Sequence, residues 1–304
     1  EWNIDIAKIT DEKGQNIIDF KKNNLHVVGY SKKIKRNLSY HQLIKNLYYE
    51  KKLPKAIPYI TSYYKKRWGF SLSYNQFKKL DKKTRYNVEI NSSFKKGNLV
   101  VGEKIIKGKS KKEIIISSYL CHPSMANNEL SGPLTLAFLY ERIKNKKFNY
   151  SLRFVVCPET IGAIAYLSKN KNILKKNSIG GFQITCCGLN NKIVYKKSRK
   201  KLSLIDLAMI ESLKNERQYN SPGIDIPFGA FMRTNYDNGY KEYHTSLDNK
   251  DIMNFKNFEK NVNVLEKTIN LIDAAKFYRR NISNCEPFLS KRNLYSSLSN
   301  YTHF

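Results

Sequence analysis

Acidic residues are scarce: 25 Asp and Glu stand against 55 Lys and Arg, for a formal net charge of +30. Cysteine is also scarce. The 5 present are an odd number and form no Cys-Xaa-Xaa-Cys pair, so a disulfide scaffold is excluded and a reducing cytoplasm fits. With Gly at 14 and Pro at 8, collagen-like and low-complexity classes are excluded. No apolar run approaches the roughly 20 residues that span a bilayer, so no membrane partner is expected. No basic segment leading into an apolar stretch opens the chain, so no secretory signal is visible. No Walker loop or Gly-Xaa-Gly-Xaa-Xaa-Gly follows a strand pattern, which leaves nucleotide binding without support. Ser131 sits in Leu-Ser-Gly-Pro rather than in a nucleophile elbow.

What is present is enough for a large folded domain: 304 residues, 41% apolar and 12% aromatic. The basic excess is mostly Lys, dispersed along the chain and accompanied by Asn and Ile, the mark of an AT-rich genome. Clustered Arg is absent, and only Arg279 and Arg280 are adjacent. The charge is therefore read as background rather than as a nucleic-acid footprint.

The first hundred residues read as strands and turns, with a short helix over Tyr40–Tyr48 and an aromatic-rich stretch, IPYITSYYKKRWGF. Period-two alternation then marks a β-rich unit over residues 53–108. From Glu113 the style changes. EIIISSYL, LRFVVC and GGFQITCC are nearly all-apolar strands, and helical patterns separate them. This alternation predicts an α/β domain with a mixed, mostly parallel central sheet and helices on both faces. The domains are read as residues 1–52, 53–108 (a small β-rich inserted domain) and 109–304.

Sites in such sheets form in the loops after the strands. Two of the 5 histidines fall in such loops, His122 and His244, together with Glu129, Glu159, Glu242 and Asp248. Imidazole and carboxylate are zinc donors, and a further Glu can activate water. Cys121, Cys186 and Cys187 are read as packing residues. The aromatic stretch could stack bases or sugars, or pack the small domain against the core and wall the cleft; packing is the expectation.

CHPSMANNELSGP, PETIGAIAYL, NERQYNSPG and EYHTSLDN, with EWNI and LHVVGYS near the start, resemble an aminopeptidase-like family of bacterial proteins still catalogued as domains of unknown function. That family lies within the zinc aminopeptidase and glutaminyl cyclase superfamily. The resemblance covers nearly the whole chain. It implies a phosphorylase/hydrolase-like core and a C-terminal winged helix, which this chain is expected to lack. His122 and His244 occupy the first and last metal-binding positions. Asn128 stands where the superfamily has a bridging Asp. Glu159 matches the general base, with Thr160 in place of the next ligand.

The expectation is a metal-dependent hydrolase of a small peptide, amino-acid amide or glycan-type substrate. One zinc would be held by His122, Glu129 and His244, and Glu159 would activate water. Arg217, Arg233 and Tyr243 are candidates to bind substrate. Asn128, Glu242 and Asp248 would support the ligands, Asp248 or Glu242 by holding the His244 imidazole. The alternatives are a degenerate, non-catalytic fold that binds a peptide or glycan intermediate, and a nucleic-acid-associated protein.

Overall fold

A computed structural model describes residues 1–212, 226–234 and 239–275. Along the chain come β1 Trp2–Asp11, β2 Asn16–Asp19, β3 Ile34–Ser39, α1 Tyr40–Leu43, β4 Leu47–Tyr48, β5 Phe70–Ser71, α2 Tyr74–Lys78 and β6 Arg85–Phe94. Then follow β7 Gly102–Ile106, β8 Glu113–Tyr119, α3 Ser131–Ile143, β9 Ser151–Cys157, α4 Ile161–Asn177 and β10 Ser178–Ile184. β11 Val194–Lys196, α5 Leu204–Ser212, β12 Phe228–Met232 and α6 Lys256–Ala274 complete the order. Residues 1–273 form one unit, described below, and residues 274–304 form another.

Six strands build the central sheet in the order β11-β12-β10-β8-β9-β7. β12, β10, β8 and β9 run parallel, and the edge strands β11 and β7 run antiparallel to their neighbours. Alternation within β8 shows why helices cover both faces. Ile114 and Ile116 enter one core with residues of α3, α5 and α6, among them Leu139, Met209 and Leu265. Ile115 points to the other core, with Leu174 of α4. The fold class read from the sequence is the one observed.

β9 lies on one side of β8 and β10 on the other, so the chain crosses over β8 between them. Reversals of this kind open a crevice at the carboxyl ends of the strands. Gly132 lets α3 begin close to that end. A Cβ there would lie 2.5 Å from both the Ile184 carbonyl oxygen and Ser118 Oγ.

The division at residues 53 and 108 differs from the observed strand pairing. The smaller sheet has the order β2-β1-β6-β3, so it joins strands from residues 1–52 with Arg85–Phe94. β7 pairs with β9 in the large sheet instead. Strand alternation reveals that a segment is extended, whereas its partner depends on long-range register. Among the described residues no helix is long and apolar enough to cross a membrane.

Candidate functional site

The carboxyl ends of the parallel strands deliver the chemistry. β8 leads to Cys121 and His122, β9 to Glu159, and β10 to Thr185 and Cys186. The loop carrying His244 is tied to the segment of residues 57–59: Tyr59 N–H donates to the His244 carbonyl at 2.8 Å, and Ser246 N–H to that of Ile57 at 2.9 Å. Ser124, Thr160, Cys186 and His244 all have positive φ, between 47° and 58°. Such backbone costs about 1 kcal/mol or more per non-glycine residue, and it gathers here on the loops that form the crevice.

The His122 and His244 rings lie 4.9 Å apart, centroid to centroid. Tyr59 stands edge-on to both, at 5.2 and 5.6 Å. Glu159 Oε2 is 3.8 Å from His122 Nε2, on a side chain 46% exposed. Burial raises the Glu159 pKa, the Glu129 charge adds to this, and His122 opposes it. Tyr243 stacks on His244 at 3.9 Å and 14°. Burial pushes its phenol up to about 12, so it remains a donor at neutral pH. Glu159, Tyr243, Tyr119, Tyr240, Gln183 and Thr185 are among the residues lining a cleft of about 630 Å³.

Glu129 has a different role from the expected metal ligand. It is 1% exposed, and both its oxygens are engaged. Oε1 lies 2.6 Å from His122 Nδ1, and Oε2 accepts from Cys121 N–H at 2.5 Å. A carboxylate on Nδ1 fixes the ring and leaves the Nε2 lone pair for a metal. Cys121 Sγ approaches the same Nδ1 at 3.3 Å and accepts from Glu159 N–H at 3.3 Å.

Asp248 does not hold His244 either. Fully buried, it accepts from the N–H groups of Asn127 (2.6 Å) and Asn128 (3.0 Å) and from the Tyr240 hydroxyl (2.5 Å). It thereby anchors the π-helical turn Ala126–Leu130 that carries Asn128 and Glu129. Glu242 pairs with Lys241 at 3.8 Å, and its carbonyl accepts from Thr245. Arg233 turns away from substrate duty: buried, it donates through Nε to Asn261 Oδ1 (2.7 Å) and through a terminal nitrogen to the Asn191 carbonyl (2.6 Å). Arg217 lies outside the described residues. Cys186 and Cys187 are buried, as expected of packing residues.

Tyr119 and Tyr240 were missed as site residues, whereas Tyr59 belongs to the aromatic stretch expected beside the cleft. Tyr119 ends β8, and its hydroxyl accepts from Thr185 Oγ1 (2.6 Å) and Asn128 Nδ2 (3.2 Å). A phenol at the last position of a buried strand was the available signal.

Among the described residues, donor atoms of Cys121, His122 and Glu159 lie within 4.8 Å of one another, close enough to share one dication. His244 Nε2 and Asn128 Oδ1 are buried and have no hydrogen-bond partner. Such atoms are costly unless something else occupies their lone pairs. Two imidazoles and an amide oxygen are neutral, and the nearby Glu129 and Glu159 carboxylates balance a 2+ charge.

Without metal the two imidazoles titrate in opposite directions. Burial disfavours the His122 cation, but hydrogen bonds and charge from Cys121 and Glu129 outweigh this and raise its pKa from 6.5 to about 10. Burial, aided by His122, lowers that of His244 from 6.5 to about 4. The His122 contribution to stability is thus full below pH 6.5 and lost as the pH rises through about 10. The His244 contribution is full above pH 6.5 and lost as the pH falls through about 4. In urea titrations with chelator, the stability difference between wild type and His122→Gln should shrink steadily from pH 6.5 to 10. A pH-independent difference would contradict this pairing.

Fold and site together define an aminopeptidase-like α/β protein. The chain belongs to the family described as "Domain of unknown function (DUF4910)", whose model matches residues 3–275. A Clostridium acetobutylicum protein named "Putative polysaccharide biosynthesis protein with aminopeptidase-like domain" is 37% identical over 311 aligned residues, covering 97% of this chain and 71% of that protein. The crystal structure of a "putative peptidase" from C. acetobutylicum, at 36% identity, superposes with a TM-score of 0.86 over 96% of this chain and 72% of its own. A zinc aminopeptidase from Bacillus subtilis shares the fold at 10% identity, with a TM-score of 0.63 over 88% of this chain and 84% of its own.

Proposed function

We propose that this protein is a metal-dependent amide hydrolase with one zinc ion, held by His122 Nε2, His244 Nε2 and Asn128 Oδ1. The observation that carries this reading is the pair of facing imidazoles, one backed by Glu129 and the other with a buried, unpartnered Nε2. The likeness to zinc aminopeptidases supports the choice of metal. The relative's name supports a setting in polysaccharide biosynthesis.

Zinc bound there would polarise the scissile carbonyl and lower the pKa of the attacking water. The chain's own residues do the rest. Glu129 keeps the His122 ring oriented, with Nε2 toward Glu159. Glu159 takes a proton from the attacking water and returns it to the leaving amine. The Tyr243 hydroxyl donates to the oxygen that gains charge. The apolar wall of Ala163, Ile164, Leu167 and Met232 limits water on one side of the cleft.

Equilibrium dialysis tests the ligand assignment. The wild type should hold one zinc per chain, and His122→Ala and His244→Ala should each hold less than about a tenth of that at the same free zinc. Full retention by either variant would remove that histidine from the ligand set.

A further inference from the structure

Beyond the cleft, a row of aromatic rings remains on the surface. Tyr59 starts it against the two histidines. Its hydroxyl lies 3.3 Å from that of Tyr63. Tyr63 meets Tyr30 at 4.8 Å, and Tyr30 stacks on Trp2 at 5.7 Å and 24°. Tyr64 follows Tyr63 at 6.4 Å. These are not core residues: Tyr30 is 41% exposed, Tyr63 56% and Tyr64 98%.

The row is built rigidly. Tyr30 has a φ of 63°, a conformation that glycine adopts without strain and an aromatic residue does not. Its turn is bolted to the neighbouring strand-like segment. Gly29 N–H donates to the Ile60 carbonyl (2.9 Å), Ser62 N–H to that of Gly29 (2.9 Å), and Ser62 Oγ to that of Tyr30 (3.1 Å). Trp2 Nε1 donates to the Ser31 carbonyl at 3.0 Å. Backbone strain that keeps a ring in water, on a frame that fixes its position, points to a ligand that stacks on it.

We propose that this row is a carbohydrate subsite, in which the sugar rings flanking the scissile amide of an N-acylated oligosaccharide stack on Tyr30, Tyr63 and Tyr64. The proposal rests on the amide-hydrolase reading and names its substrate class. Stacking suits the flat C–H faces of pyranose rings, and the phenol hydroxyls suit their rim. The row meets the site through Tyr59, which stands against His122 and His244. The cleft beside those histidines is lined by neutral polar groups, Gln183, Thr185, Tyr119, Tyr240 and Tyr243, with Glu159 as its one carboxylate among the described residues. Neutral donors and acceptors match hydroxyl and acetamido groups. A free peptide amine would call for an anionic clamp, and Glu159, the cleft's one carboxylate among the described residues, is already assigned as the base. In the reaction, the amide C–N bond breaks and the water oxygen bonds to the carbonyl carbon. One water proton reaches the nitrogen through Glu159 and the second follows as the intermediate collapses, leaving the ammonium form of an amino sugar and a carboxylate.

The test is a titration of the Glu159→Gln protein with chitotetraose, followed by tryptophan fluorescence, since Trp2 lies on Tyr30. Saturable binding is expected. Adding Tyr63→Ala or Tyr64→Ala should weaken it by about tenfold, and Tyr63→Phe should retain it within about threefold. No saturable change, or alanine variants that bind equally well, overturns the proposal. So does tyrosine-dependent binding of a short single-stranded oligonucleotide where chitotetraose fails. If chitotetraose binds through Tyr63 but the wild type releases no amine from it, the subsite stands and the hydrolase reading falls.

Discussion

A Glu159→Gln protein should bind zinc as the wild type does and hydrolyse its amide substrate about a thousandfold more slowly. Glutamine keeps the size of the side chain and loses its ability to accept the water proton. Glu159 stands 3.8 Å from His122 Nε2, half exposed to the cleft, on a backbone fixed by Thr160 at a φ of 54° and by its N–H bond to Cys121 Sγ. It therefore reaches a reacting water without being tied to another side chain at hydrogen-bond distance. Zinc content and steady-state rate, measured on one preparation, separate two roles. Loss of rate with zinc retained is the result for a base. Loss of zinc would make Glu159 a ligand and remove it as the base.

Asp248→Ala should cost about 3–5 kcal/mol in urea unfolding of the metal-free protein. The carboxylate is fully buried and accepts from two backbone N–H groups and a phenol. Alanine leaves all three donors without a partner inside the fold. The two N–H groups open the π-helical turn Ala126–Leu130, whose first donors no residue within the turn can satisfy. Zinc affinity should fall along with stability, because that turn carries both Asn128 and Glu129. Tyr240→Phe removes one donor and leaves the carboxylate its backbone partners, so about 1 kcal/mol is expected. A loss below about 1 kcal/mol for Asp248→Ala would mean that the turn holds without its anchor.

The sheet was legible in the sequence because buried parallel strands are nearly all apolar, and EIIISSYL and LRFVVC are β8 and β9 within a residue or so. His122 and Glu159 were legible for the same reason: each follows such a strand. Side-chain direction was not. A carboxylate seven residues after His122 could bind metal beside it or brace it from behind. The π-turn decides this by bringing Glu129 under the Cys121 N–H. Arg233 could have faced the cleft, but Asn261 of α6, distant in sequence, takes it instead. Asp248 is close to His244 in the chain, but instead of holding that imidazole it takes two of its three partners, Asn127 and Asn128, from about 120 residues away. The aromatic stretch was read as packing. Tyr59 stands edge-on to both histidines, whereas Tyr63 and Tyr64 stay in water, a division that aromatic density alone does not reveal.

The central claim is that one zinc ion at His122 and His244 makes this an amide hydrolase. Zinc titration of the chelator-stripped protein, with acetate release from N-acetylated chitotetraose as the signal, tests it most directly. Without metal no release is expected, and the rate should rise linearly to one zinc per chain and reach a plateau beyond it. A rate that stays at zero with the zinc site filled and chitotetraose bound, or that needs two ions per chain, would contradict it.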